Sequence, residues 1–107
     1  MKRIFHIPET NVHIDLQKLA LLDEPYVKFE AYSAQFRIRL MLQGQSEHME
    51  VWIIVRPDSG STFSGRDSKV ETARKMPEFD HCFKAQNALL TAWQDYCDQE
   101  PPKPLNF

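Results

Sequence analysis

The sequence predicts an α+β domain: an antiparallel sheet of four to five strands, with a meander over about residues 26–56, and one long C-terminal helix over about 77–99 packed on one face. Three observations carry that reading. Apolar and polar residues alternate with period two across 26–56. The composition turns to Gly, Ser and Asp directly after Arg56, and apolar positions then recur at helical spacing from Phe79 onward.

The first elements form a hairpin in this reading, because residues 3–7 and 11–16 alternate around Pro8-Glu9-Thr10. Residues 16–22 leave two readings open. Leu16, Leu19 and Ala20 meet helical spacing, a strand fits as well, and Asp23-Glu24-Pro25 ends either.

Within the meander, a two-residue turn at Gly44-Gln45, with Gly at the first central position of a type II′ hairpin, sets a definite register. Leu40 then faces Met49, Ile38 faces Val51 and Phe36 faces Ile53 on one side, while Arg39 faces Glu50 and Arg37 faces Trp52 on the other. A second tight turn at Ser33-Ala34 opposes Ala31 to Phe36, Phe29 to Ile38, Val27 to Leu40 and Glu30 to Arg37. A one-residue slip would bury these charges, so the alternation selects the face of every residue.

After Arg56, residues 57–68 read as a loop containing a single aromatic, Phe63, and residues 69–75 as a helical turn. Pro77 suits the first position of a helix, and Glu78 and Asp80 suit its positive end. Turned 100° per residue, Phe79, Cys82, Phe83, Leu89, Leu90, Trp93, Tyr96 and Cys97 fall on one broad face, and Asp80, Lys84, Asn87, Thr91, Asp95 and Asp98 on the other. Glu100-Pro101-Pro102 stops the helix. The expected organisation is one domain over 1–100 and a proline-rich tail over 101–107, whose Pro101 and Pro104 have the spacing of a PxxP ligand.

Composition narrows the function. Thirteen basic and fifteen acidic residues give a formal charge of -2, which disfavours both a strongly basic nucleic-acid binder and an acidic mimic of nucleic acid. Locally, residues 56–75 carry five basic and three acidic groups, and residues 76–100 one basic and five acidic, so no strong positive patch forms. The longest unbroken apolar run is five residues, 51–55, far short of a membrane span. The apolar start of the chain breaks at His6 and Pro8, too soon for a signal peptide, and the expected compartment is the cytoplasm. Cys82 and Cys97, fifteen residues apart on one helix, are separated by roughly 22 Å. They cannot bridge within the chain, and both are expected to be reduced and buried.

No catalytic constellation is legible. The four histidines stand at no recognised metal-ligand spacing, although His6 and His13 meet across the first hairpin, and no cofactor or metal is expected. The glycines at 60 and 65 are followed by Arg66-Asp67 rather than by the Lys and Ser or Thr of a phosphate loop. Arg56, Arg66 and Lys69 still have the makings of an anion-binding loop, against the simpler reading of a solvated connection.

The outward face of the meander is the most informative surface. It places Tyr26, Lys28, Glu30 and Tyr32 on one strand, Arg37, Arg39 and Met41 on the next, and His48, Glu50, Trp52 and Ile54 on the third. Residues 51–55 are apolar on both faces, and Trp, Tyr, Arg and Met are types enriched in protein interfaces. The expected function is therefore a non-enzymatic protein-binding or self-associating domain, a homodimer or a partner of another protein, with Tyr32, Arg37, Arg39, Trp52 and Ile54 at the contact. Two alternatives stand beside it. One is a small-molecule-binding protein or small enzyme with a pocket between sheet and helix, reached by a histidine and an acid. The other is an inhibitor or immunity-type partner of a larger protein, which rests on size and the absence of motifs alone.

Overall fold

The computed structural model describes residues 3–57, 62–63 and 69–99. Chain order is β1 (Ile4–His6), β2 (His13–Asp15), β3 (Leu19–Leu22), β4 (Tyr26–Phe29), β5 (Ala34–Leu42), β6 (Met49–Val55), α1 (Val70–Arg74), a 3-10 turn (Pro77–Phe79) and α2 (Asp80–Gln99). This is the α+β class, with two antiparallel sheets and one long C-terminal helix.

The first sheet is the hairpin β1–β2, in register Ile4↔Asp15, Phe5↔Ile14 and His6↔His13. Its turn holds Glu9 at φ 71, a left-handed position that Gly or Asn adopts at lower cost. Thr10 secures that turn, since its hydroxyl donates to the Ile7 carbonyl at 2.8 Å and accepts from the Val12 amide at 3.1 Å. Ile7, Ile14 and Leu16 are buried and join the main core.

In the second sheet β5 is central. β6 pairs along one edge over Ala34–Leu40, and β3 and β4 lie end to end along the other, β3 against Leu40–Leu42 and β4 against Ala34–Arg37. Residues 16–22 thus contain a strand rather than a helix, and Asp23-Glu24-Pro25 breaks a single long edge. Proline donates no amide to the ladder, so the edge bends there.

The β5–β6 register matches the sequence expectation pair by pair, from Leu40↔Met49 through Arg37↔Trp52 to Phe36↔Ile53. The turn differs in detail. The Gln45 amide donates to the Leu42 carbonyl, which puts Gly44, at φ 85, third in a 42–45 turn, the place where a type II turn requires a left-handed residue.

The β4–β5 register departs from expectation by four residues: Val27 faces Phe36 and Phe29 faces Ala34. No tight turn forms at Ser33-Ala34. The Glu30 amide donates to the Ser33 carbonyl, and residues 30–33 are the loop. Glu30 and Tyr32 consequently leave the strand, and Tyr26 rather than Glu30 faces Arg37.

One face of this sheet is dry. Val27, Ala34, Phe36, Ile38, Leu40, Val51, Ile53 and Val55 are buried and share a core with Cys82, Ala85 and Leu89 of α2. Phe83 sets its ring edge-on to Phe36, with centroids 5.0 Å apart. Phe29, Phe63 and Phe79 form a second aromatic cluster, with Phe63 tied by its amide to the Ala31 carbonyl. Phe63 lay in the segment expected to be a solvated loop. It is instead a core residue, because burying one ring outweighs the polar character of its neighbours.

The helix face is mostly as expected, with one correction. Cys82 is buried but Cys97 is exposed, although its neighbour Tyr96 still packs against the core, and both thiols are free. Burial, with the Glu9 carboxylate adding to it, pushes the Cys82 thiol up to about 12. Among the described residues, no helix is long and apolar enough to cross a membrane. The proline-rich tail lies outside the described residues.

Candidate functional site

The opposite face of the β5 sheet is open. Its side chains are ordered in transverse rows by the register. Tyr26, Arg37 and Trp52 make one row across three strands, and Lys28, Gln35 and Ile54 make the next. Arg39 and Glu50 form a third, with Asp23 beside them, its backbone amide donating a hydrogen bond to the Arg39 carbonyl.

Arg37 is the hub of this surface. Its guanidinium lies 4.2 Å from the Trp52 ring centroid and 5.1 Å from that of Tyr26, donates to Gln35 Oε1 at 2.7 Å, and stands 3.9 Å from the Glu50 carboxylate. Arg39 approaches the same carboxylate at 3.6 Å. Nε of each arginine is buried without a hydrogen-bond partner among the described residues. A planar guanidinium can lie against a ring and still donate hydrogen bonds, which suits an arginine better than a lysine to the centre of this row.

Trp52 remains 48% exposed and Ile54 51%, and the first hairpin does not cover them. Tyr32, at 74%, belongs to the loop at the end of the sheet and not to the strand. Of the five expected contact residues, Arg37, Arg39, Trp52 and Ile54 therefore share one face, while Tyr32 stands at its end. Tyr26, which the sequence placed on the outward face but not among the contact residues, completes the central row.

The expected anion-binding residues are only partly described. Arg56 and Lys69 are exposed at the two ends of their segment, and Arg66 lies outside the described residues.

The histidines sit apart from one another in two of three places. His6 and His13 stack at 4.8 Å on the hairpin, with His6 Nε2 set against the Thr10 carbonyl. His48 Nε2 is 3.0 Å from Asp23 Oδ2, and His81 on α2 lies beside the Cys82 sulfur at 3.5 Å. No group of three His, Cys, Asp or Glu side chains that could hold a metal occurs among the described residues. On the hairpin, Arg3 donates twice to Asp15, at 2.8 and 2.7 Å, and that hydrogen-bonded pair holds the Asp15 carboxyl below its usual range.

A cleft of about 810 Å³ opens where the β3–β4 edge breaks against α2, lined among others by Asp23, Glu24, Arg74, Asp80, Phe83 and Gln86. Arg74 lies 4.6 Å over the Phe83 ring. Gln86 reaches the Asp23 carbonyl through its amide nitrogen at 3.4 Å, and its Oε1 is buried without a partner among the described residues. The sequence reading placed Asp80, Lys84 and Asn87 on a plain polar helix face. Only the break at Pro25 turns that face into a wall. No histidine lines the cleft.

Comparison with family models, with curated proteins and with solved structures finds no match to this chain.

Proposed function

We propose that this chain is a non-enzymatic protein-binding domain that associates with itself through the open face of the β5 sheet. The observation that supports the reading is the row Tyr26–Arg37–Trp52 with Ile54 beside it. Two aromatic rings contact one guanidinium, an arrangement that reduces the side-chain freedom left to lose on contact, and the apolar surface they present stays exposed in the single chain. Buried aromatic and arginine anchors of this kind dominate protein contacts.

Replacing Trp52 by Glu tests it. The expected result is a folded monomer by native mass spectrometry where the parent chain is a dimer. A folded Trp52→Glu protein of unchanged mass overturns the reading.

A second reading is favoured by the unpartnered Gln86 Oε1 in the edge cleft: a small molecule bearing a hydrogen-bond donor would satisfy it. NMR shifts confined to Gln86, Asn87 and Phe83 on adding small amides support that reading, and shifts absent from all three remove it.

A further inference from the structure

We infer that a second copy of this chain docks on the outer edge of β6, strand against strand and antiparallel, about a twofold axis through Ile53. The inference rests on the self-association reading above and adds to it a contact along the sheet edge that borders the open face.

Among the described residues, β5 is the only element with which β6 makes extensive contact, and no strand pairs with the other edge of β6. Backbone groups alternate edges along a strand, and the Arg39 carbonyl points to the β3–β4 side, so the donors and acceptors of Glu50, Trp52 and Ile54 are the ones presented along that free edge. Protein edges are commonly guarded by lysine, proline or a bulge. Met49–Val55 contains neither residue, keeps an unbroken register with β5, and carries one charge, Glu50. Its apolar side chains point to both faces, so an added strand would extend the dry face and the open face together.

The side chains choose the partner and the register. An antiparallel pairing keeps outward residues opposite outward residues only if the twofold passes through a residue rather than between two. With the axis at Trp52, the Glu50 carboxylate would meet Ile54 of the second copy, and with the axis at Val51 it would meet Trp52. With the axis at Ile53, Glu50 meets Arg56 of the second copy, Trp52 meets Ile54, and Val51 meets Val55. Arg56 directly follows β6 and is exposed. Every outward pair is then charge-complementary or apolar, and every inward pair is aliphatic. The strand is thus complementary to itself, which is the argument for a second copy over an unrelated peptide.

The test uses the full chain with Cys97→Ser, carrying either Glu50→Cys or Arg56→Cys, in a glutathione buffer. Directly opposed residues of an antiparallel pair lie about 4.5 to 5.5 Å apart, inside the disulfide span of about 4.4 to 6.8 Å. The expected result, when the two proteins are combined, is a mixed disulfide in large excess over its statistical share of random pairing. A mixed yield at or below that statistical share, or no cross-link although the parent chain is a dimer, overturns the β6 pairing and leaves self-association through the open face standing. A parent chain that is a monomer overturns both.

Hydrogen exchange on the unsubstituted chain gives a readout free of any folding defect. Amides of β6 that point away from β5 should gain protection as concentration carries the chain from monomer to dimer, and unchanged protection overturns the pairing. Arg56→Glu, which sets like charges opposite each other twice, should raise the dimer Kd roughly tenfold or more.

Discussion

The two faces of the β5 sheet are made of alternate residues of the same strands, yet they do different work. On β5, Phe36, Ile38 and Leu40 point inward and are wholly buried, while Gln35, Arg37 and Arg39 between them point outward. The inward set gains about 1.5 to 3 kcal/mol for each large side chain removed from water and needs only volume and apolarity. The outward set is organised by directional contacts around one guanidinium, each far weaker than a buried ring, and it leaves apolar surface in solvent. Burial that stabilises the fold is concentrated on one face, and exposed aromatic and aliphatic surface on the other.

That contrast can be broken most severely from the inside. Phe36→Ala removes a fully buried ring that meets Phe83, and should cost about 3 to 5 kcal/mol of unfolding free energy in urea titration. A loss comparable to that of an exposed residue would mean that the inner face is not the seat of stability. On the outer face, Arg37→Met keeps the aliphatic stem but deletes the stacked charge. It should cost about 1 to 2 kcal/mol, with Arg37→Lys recovering only part because an ammonium lacks the planar stack. Equal stability of the Lys variant and the parent would show that charge alone orders the row.

The smallest effect is read on the helix, where Cys82 faces inward and Cys97 outward. A thiol reagent should modify Cys97 in the folded chain and reach Cys82 only on unfolding. Because burial raises the Cys82 thiol from 9.0 to about 12, the unfolded chain loses that proton first as pH rises. The contribution is intact below about 9 and declines between about 9 and 12, so stability should fall across that window. Cys82→Ala should flatten the decline attributable to this group, as measured by denaturation at a series of pH values.

Much of the architecture was legible, and the failures have identifiable causes. The β5–β6 register could be read residue by residue because Gly44 marks the turn and two opposed patterns constrain each other. The β4–β5 register could not. Alternation reports which face a residue takes, and a slip by an even number leaves every face unchanged, so a four-residue shift was invisible without the loop at 30–33. Tyr32 was misplaced on a strand for the same reason. Of the candidate face, Arg37 against Trp52 was foreseen, but Tyr26 as the second ring followed only from the corrected register. Phe63 had one available signal, a lone aromatic in a Gly- and Ser-rich stretch. The edge cleft had none, since it needs Pro25 and Gln86, sixty-one residues apart, to meet.

The sequence by itself determined the class of the fold, the face each residue of β4, β5 and β6 takes and the extent of the long helix, because these follow from periodicity and from local turn and capping chemistry. Tertiary structure alone decided that residues 19–22 are a strand, that β3 and β4 share one edge of β5, and that β6 has no strand beyond it among the described residues. Those outcomes depend on which distant backbone groups find each other, and where no tight turn joins two strands, alternation gives the face of each residue but not its partner.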